Sequence, residues 1–161
     1  MVILMSLGID KNRIEGQREE NQMALVVQKY GGTSVAGAER LKAVARHVVE
    51  TKEKGHQMVV VVSAMGKTTN ELIQLAHQVS DRPDDRELDV LLSTGEIVSS
   101  TLLTMALKSL GHRAISLTGA QAGIQTDDAH QRARIQAIEP QRIRRELDKG
   151  YIVVVAGFHQ Q

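Results

Sequence analysis

Several residue types are absent or scarce in this sequence, and each absence removes a class of function. The 161 residues include no cysteine, which excludes disulfides, thiolate metal sites and a cysteine nucleophile. The three aromatic residues, Tyr30, Tyr151 and Phe158, are too few for the stacking platforms that bind single-stranded nucleic acid. Twenty Lys and Arg oppose 19 Asp and Glu, for a net charge of +1. We therefore expect a cytoplasmic protein that binds neither nucleic acid nor a membrane.

The N-terminus lacks the features of a targeting signal. Its apolar run "MVILMSLGI" has nine residues, against the ~20 that span a bilayer, and it has neither a basic leader nor a small-residue cleavage site. The polar segment "DKNRIEGQREENQ" follows it. The sequence therefore predicts a disordered extension over residues 1–22 and a domain over 23–161.

Strand-like and helix-like segments alternate from Met23 onward. Runs of β-branched residues without polar alternation predict strands that are buried on both faces. The predicted strands are 24–30, 57–65, 113–119, 132–138 and 151–158. Such alternation predicts a mainly parallel α/β sandwich whose functional groups lie where strands give way to helices.

Helical spacing fills the intervals between the strands. An apolar stripe from Leu41 to Val49 predicts the first helix, which Gly55 ends. The second helix is predicted at 68–79, with Thr68 and Glu71 as a capping box. Further helical patterns cover 87–92, 97–110 after a break at "STGE", and the segment that Pro140 opens.

Two nucleotide-binding fingerprints nearly occur. "VVVVSAMGKTT" resembles a Walker A loop, but Val61 stands where the first glycine is required. "GGTSVAG" has Thr33 at the second glycine position of the dinucleotide motif. Neither a P-loop nor a dinucleotide-binding fold is supported.

The stretch "VVQKYGGTS" (26–34) still indicates a ligand. Gly31 and Gly32 allow backbone amides to approach an oxyanion closely, and they permit a positive φ. Lys29 at the strand end supplies a point charge for phosphate oxygens. The alternative is a plain strand-to-helix turn with a solvated lysine, in which Thr33 or Ser34 caps the next helix.

Five segments together carry a family resemblance: "VVQKYGGTSV", "VVVVSAMGKTTNEL", "LLSTGEIVSSTLL", "SLTGAQAGIQT" and "VVVAGF". In this order and spacing they resemble the aspartate kinases of the amino acid kinase family, over residues 23–158. The resemblance implies a three-layer α/β/α sandwich with a mainly parallel sheet, of the carbamate kinase-like type. It also implies phosphorylation of the β-carboxylate of L-aspartate by MgATP to 4-phospho-L-aspartate, in the biosynthesis of lysine, threonine, methionine and diaminopimelate.

The resemblance also implies roles for individual residues. Lys29 is the catalytic residue that stabilises the transition state, and Glu96 holds the α-amino group of aspartate; a structural glutamate at a helix start is the alternative. The implied ATP-binding residues are Lys29, Tyr30, Gly31, Gly32 and Ser63, with Gly66 beside them. The implied substrate-binding residues are Ser34, Thr69 and Glu96. The cofactors are ATP and Mg²⁺, whose protein ligands the sequence does not identify.

The sequence departs from the family pattern after "VVAGF". The family continues with segments that supply an arginine and an aspartate at the substrate site, the nucleotide lobe and regulatory ACT domains, whereas here "HQQ" follows. We therefore expect a truncated kinase domain without an ACT domain, an exposed edge on its final strand, and little activity from this chain alone. A homo-oligomer or association with a full-length subunit is expected. Two alternatives are a silent remnant that binds aspartate and an amino acid kinase with another acceptor.

Overall fold

The computed structural model describes residues 23–126 and 135–157, in which helices cover both faces of a parallel sheet. The strands are β1 (Leu25–Tyr30), β2 (Gln57–Val62), β3 (Ala114–Leu117), β4 (Ile124–Thr126), β5 (Ile135–Ile138) and β6 (Ile152–Ala156). The helices are α1 (Ala38–Glu53), α2 (Thr68–Val79), α3 (Asp85–Ser109) and α4 (Gln141–Asp148). The extension predicted for residues 1–22, the start of the predicted strand 132–138, and Phe158 lie outside the described residues.

The main sheet has the strand order β1-β2-β6-β3, and every pair in it is parallel. The expectation of an exposed edge on the final strand is wrong, because β6 lies between β2 and β3. The sheet edges are β1 and β3. A separate antiparallel pair joins β4 to β5; the sequence did not predict the three-residue β4.

The core lies on both faces of the sheet because alternate residues of each central strand point to opposite sides. Val60 and Val154 pack with α1 and α3 on one face, whereas Val59 and Val153 pack with α4 on the other. All four valines are completely buried, and burial of each is worth roughly 1.5–3 kcal/mol. The predicted three-layer α/β/α sandwich is confirmed.

The predicted break at "STGE" is wrong, since α3 continues through it for 25 residues. Its hydroxyl groups bond within the helix: Ser93 Oγ donates to the Val90 carbonyl at 2.7 Å and Thr94 Oγ1 to the Leu91 carbonyl at 2.6 Å. These bonds satisfy the polar side chains without ending the helix. Glu96 therefore lies in the middle of α3, so stabilisation by a helix-start dipole no longer explains it.

The helix starts also differ from the predicted caps. The capping box of Thr68 and Glu71 does not form; Lys67 occupies the N-cap position of α2, and no side chain caps it. The Thr68 amide instead donates to the Met65 carbonyl at 2.8 Å. Pro140 is the N-cap residue of α4 rather than a residue of its first turn.

By length and composition alone, α3 is the one helix among the described residues that could cross a membrane. A helix that packs along the sheet of a folded domain passes the same test. Leu103 and Leu107 of α3 are completely buried in the core cluster. The length and composition of α3 are therefore only weak evidence for membrane association.

Candidate functional site

The candidate site lies at the C-terminal edge of the sheet. This edge is the end at which the parallel strands finish, and it differs from the lateral edges formed by β1 and β3. Backbone hydrogen bonds join the turns that follow β1, β2 and β6: the Ser63 amide donates to the Tyr30 carbonyl at 3.1 Å and the Gly157 amide to the Val62 carbonyl at 2.6 Å. Such bonds fix the strand ends relative to one another. Lys29, an exposed residue of β1, lies at this edge.

Gly32 lets the turn after β1 contact the turn after β2. Its carbonyl accepts a hydrogen bond of 2.9 Å from the Gly66 amide. A Cβ at position 32 would lie 2.6 Å from the Ala64 carbonyl oxygen, closer than real Cβ atoms come. Glycine is therefore required here by the close approach of the two backbones. The positive φ that the sequence allowed is found at Gly66 (42°), not at Gly31 or Gly32.

Gly31 and Ser34 form the exposed part of the first turn. The Ser34 amide donates to the Gly31 carbonyl at 3.0 Å. A Cβ on Gly31 would meet no described atom within 4 Å, so packing within the described residues does not require glycine there. The alternative role of Ser34 as a helix cap is wrong, because α1 begins at Ala38 with Gly37 at its N-cap.

The turn after β2 brings the next predicted residues to the same edge. Ser63 is buried, with 5% of its surface exposed, and Thr69 is half-buried in the first turn of α2. The neighbouring Thr68 faces α3, where a Cβ on Gly95 would lie 3.3 Å from its Cγ2. This contact places α3, and with it Glu96, beside the turn.

Glu96 and Lys29 carry the charges of the site. Burial raises the pKa of the Glu96 carboxyl group to about 7, and the nearby Lys29 ammonium opposes part of that rise. A half-buried carboxylate beside a lysine is the kind of group that active sites contain. Glu96 therefore exchanges a proton near neutral pH, which an ordinary surface glutamate does not.

Sequence reasoning missed two glycines of this edge. Gly95 is buried in the middle of α3, and Gly157 follows β6, where a Cβ would lie 2.6 Å from the Val62 carbonyl oxygen. Both stand within quoted motifs, "STGE" and "VVAGF". A glycine inside a strongly helical or strand-like segment is the signal for such a close approach.

A cavity of about 250 Å³ lies at the opposite end of the sheet, where the strands β1 and β2 begin. It is lined by residues at the beginnings of β1 and β2 and by residues of α4: Leu25, Gln57, Arg144, Leu147 and Asp148. Ligands of parallel α/β sheets bind at the carboxyl ends of the strands. The cavity is therefore separate from the candidate site.

The sequence profile of the amino acid kinase family matches residues 24–160. The chain belongs to the amino acid kinase family. It is 58% identical over 136 residues to an aspartokinase of Geobacillus stearothermophilus and 57% identical to one of Mycolicibacterium smegmatis. Each match covers 84% of this chain, and the chain spans about a third of the length of these curated relatives (33% and 32%). The predicted resemblance to aspartate kinases is confirmed.

Solved structures agree with this family membership. The aspartate kinase from Synechocystis superposes with a TM-score of 0.71 at 48% identity, over 83% of this chain and 22% of that chain. E. coli aspartokinase III, in complex with aspartate and ADP, superposes with a TM-score of 0.69 at 18% identity, over 83% of this chain and 40% of that chain. The second likeness shows the shared amino acid kinase fold.

The structure thus brings the predicted residues of three segments to one edge of the sheet. Lys29 lies in β1 and Gly32 in the turn after it. Ser63 and Thr69 follow β2, in the next turn and at the start of α2, and Glu96 lies in the middle of α3. Their individual roles toward ATP and aspartate stay predictions.

Proposed function

We propose that this chain forms part of an aspartate kinase that transfers the γ-phosphoryl group of ATP to the β-carboxylate of L-aspartate. The observation that carries the proposal is that the charge of Lys29 acts on the half-buried Glu96 at one end of the sheet, within a segment 58% identical to an aspartokinase. E. coli aspartokinase III, which shares the fold, binds aspartate and ADP. Glutamate or carbamate as the acceptor is less compatible with "KYGGTS" together with "STGE".

The proposed reaction requires alignment and charge neutralisation more than a strong base. A β-carboxylate oxygen of aspartate attacks the γ-phosphorus; the new O–P bond forms as the bond to the β-phosphate oxygen breaks, and ADP leaves. Lys29 is exposed at the strand end, so its ammonium can neutralise charge on the transferring group. The amides of the turn at Gly31 and Gly32 are proposed to face the phosphate oxygens.

Magnesium is proposed to enter with the nucleotide, as MgATP. Among residues 23–126 and 135–157 no group of three or more His, Asp or Glu side chains could hold a metal ion. Kinases usually hold Mg²⁺ with one or two carboxylates together with substrate phosphates, so MgATP does not require a preformed cluster of this kind. The proposed roles of Lys29 and Glu96 do not depend on the protein ligands of the ion. The acidic stretch "TDDAH" (126–130) lies almost wholly outside the described residues.

Glu96 is proposed to bind the α-amino group of aspartate. Its carboxyl group is half-buried on α3, and an ammonium ion beside it would stabilise the ionised form. Glu96→Gln keeps the shape but removes the charge, so we expect weaker binding of aspartate with little change for ADP. Calorimetric titration with each ligand measures this, and an equal loss of both affinities would indicate a structural role instead.

The catalytic proposal is tested in a chimera that places residues 24–157 of this chain in the Geobacillus stearothermophilus aspartokinase, in place of the matching segment. We expect ATP- and aspartate-dependent acyl phosphate, detected as the hydroxamate, and a fall in kcat of roughly 100-fold, or ~3 kcal/mol, for Lys29→Ala. Lys54→Ala, an exposed lysine after α1, is the control. Near-normal turnover of Lys29→Ala would remove Lys29 from the mechanism. Because the matched segment is only 33% of the length of that relative, we expect negligible turnover from the 161-residue chain alone.

The product, 4-phospho-L-aspartate, is proposed to feed the synthesis of lysine, threonine, methionine and diaminopimelate in the cytoplasm. The support is the identity with bacterial aspartokinases. A strain that lacks its own aspartokinases needs these amino acids in its medium. Growth of that strain without them when it carries the chimera would support the assignment. Failure of an active chimera to rescue growth would refute it.

Self-association through α3 is also proposed. Five nonpolar side chains on its outer side are 39–59% exposed: Val90, Ile97, Val98, Leu102 and Met105. A second copy of this chain, packed on these residues, would remove them from water. Sedimentation equilibrium is expected to show a dimer that Met105→Glu weakens, whereas Arg144→Glu, at an exposed position of α4 on the other face of the sheet, should not weaken it. A monomer at all concentrations would refute this proposal.

A further inference from the structure

Gly95 lies in the middle of a 25-residue helix, although glycine is a poor helix former. The residue is buried. A Cβ built on it would lie 3.0 Å from Ala64 Cβ and 3.3 Å from Thr68 Cγ2. The helix backbone thus lies so near the turn after β2 that a side chain at position 95 would make closer contacts than Cβ atoms usually do.

The nearest atom that opposes a side chain at position 95, Ala64 Cβ, has little freedom to move. Ala64 Cβ is attached directly to the backbone of the turn, and Ala64 is 7% exposed. The same turn is held by the bond from the Gly66 amide to the Gly32 carbonyl, at 2.9 Å. An added methyl group would therefore displace α3 rather than rotate a neighbouring side chain.

We propose that Gly95 is a positioning residue: the absence of a side chain there seats α3 against the turn after β2 and so holds Glu96 beside Lys29. Glu96 is the next residue along the helix, so a displacement of α3 at Gly95 moves its carboxyl group directly. The importance of this position for aspartate binding rests on the proposed function. The positioning itself involves only residues of this chain.

The variant Gly95→Ala separates positioning from helix propensity. Propensity alone would raise Tm by a few degrees, since alanine is the better helix former. Displacement of α3 predicts the opposite, a fall of at least about 3 °C. It also admits water to Glu96, so we expect the pKa of Glu96 to fall by at least about 0.5 unit toward that of an ordinary glutamate.

The measurements use the 161-residue chain without ligands. Carboxyl ¹³C NMR follows the titration of Glu96, which is assigned from the signal that disappears in Glu96→Gln. Leu107→Val is the control for general destabilisation, because Leu107 is completely buried on the same helix three turns away. It should lower Tm without shifting the pKa of Glu96.

A compensating variant provides the second test. Gly95→Ala combined with Ala64→Gly removes the Cβ that the new methyl group would meet, so the pKa of Glu96 should return to within about 0.3 unit of the wild-type value. An unchanged or raised pKa in Gly95→Ala would overturn the proposal. So would a double variant that fails to fold or retains the shift of Gly95→Ala. None of these outcomes depends on whether the chain binds aspartate or ATP.

Discussion

Glu96 should make the chain less stable as the pH rises, and Glu96→Gln should abolish this effect. Burial raises the pKa of Glu96 from 4.5 to about 7 in the folded chain, so the folded state binds this proton more tightly than the unfolded state does. The contribution of Glu96 to the free energy of unfolding therefore falls between about pH 4.5 and pH 7, and it stays low above pH 7.

The magnitude follows from the size of the pKa shift. At about 1.4 kcal/mol per unit, the rise from 4.5 to about 7 sets an upper limit of about 3.5 kcal/mol. Glu96 is only half-buried, and solvent reduces the effect, so we expect about 1–2 kcal/mol. Loss of the pairing with Lys29 costs little in the variant because Lys29 is exposed.

Urea unfolding followed by circular dichroism measures this difference. At pH 5, where wild-type Glu96 is protonated, the variant and the wild type should have similar free energies of unfolding. At pH 8 the variant should be about 1–2 kcal/mol more stable. The exposed Glu71 on α2 provides the control, since Glu71→Gln should give no such gain. Equal pH dependence of Glu96→Gln and wild type between pH 5 and pH 8 would refute the reasoning.

Two further changes test the packing around the site. Gly32→Ala should destabilise the chain by roughly 1–3 kcal/mol because its Cβ meets the Ala64 carbonyl oxygen at 2.6 Å. Gly31→Ala, whose Cβ meets no described atom, should change the free energy of unfolding by less than about 1 kcal/mol. Equal losses in urea unfolding would contradict this. Burial raises the pKa of Glu146, but a hydrogen bond of 2.8 Å from Arg142 and the surrounding cations hold this pKa below its usual value. Glu146→Gln should therefore reduce the free energy of unfolding at pH 7. It should also remove part of the stability that the wild type loses below about pH 4.5. An unchanged acid profile in Glu146→Gln would count against that ion pair.

The central strands could be predicted from the sequence because strands buried on both faces consist of continuous runs of β-branched residues. The run "MVVVV" in β2 and "IVVV" in β6 fills both sides of a parallel sheet, and such runs have few alternatives in a domain of this size. The order of the strands was not predictable in this way. It depends on which crossovers the helices make, so β6 became an interior strand although it follows all the others.

The candidate site residues could be predicted from sequence only where a motif contains them. Lys29, Gly32 and Glu96 came from motifs, and the structure brings their segments together. Helix propensity, which is local, predicts a helix break at Gly95, whereas the close approach of Gly95 to Ala64 joins residues 31 positions apart. The local sequence likewise allows Ser34 to cap a helix, but where α1 starts depends on tertiary structure.

Binding of aspartate, if Glu96 holds its amino group, should release a proton. Near pH 7 about half of the free chains carry a proton on Glu96, and a bound ammonium group would stabilise the ionised carboxylate. The affinity for aspartate should then rise about tenfold from pH 6 to pH 8, while that for ADP should not follow this curve. Calorimetry at pH 7 in two buffers of different ionisation enthalpy should show about 0.5 proton released per aspartate bound. Wild-type affinity that is constant over this pH range, with no proton released, would mean that the substrate's amino group binds elsewhere and that the raised pKa of Glu96 is a cost of packing α3 against the turn.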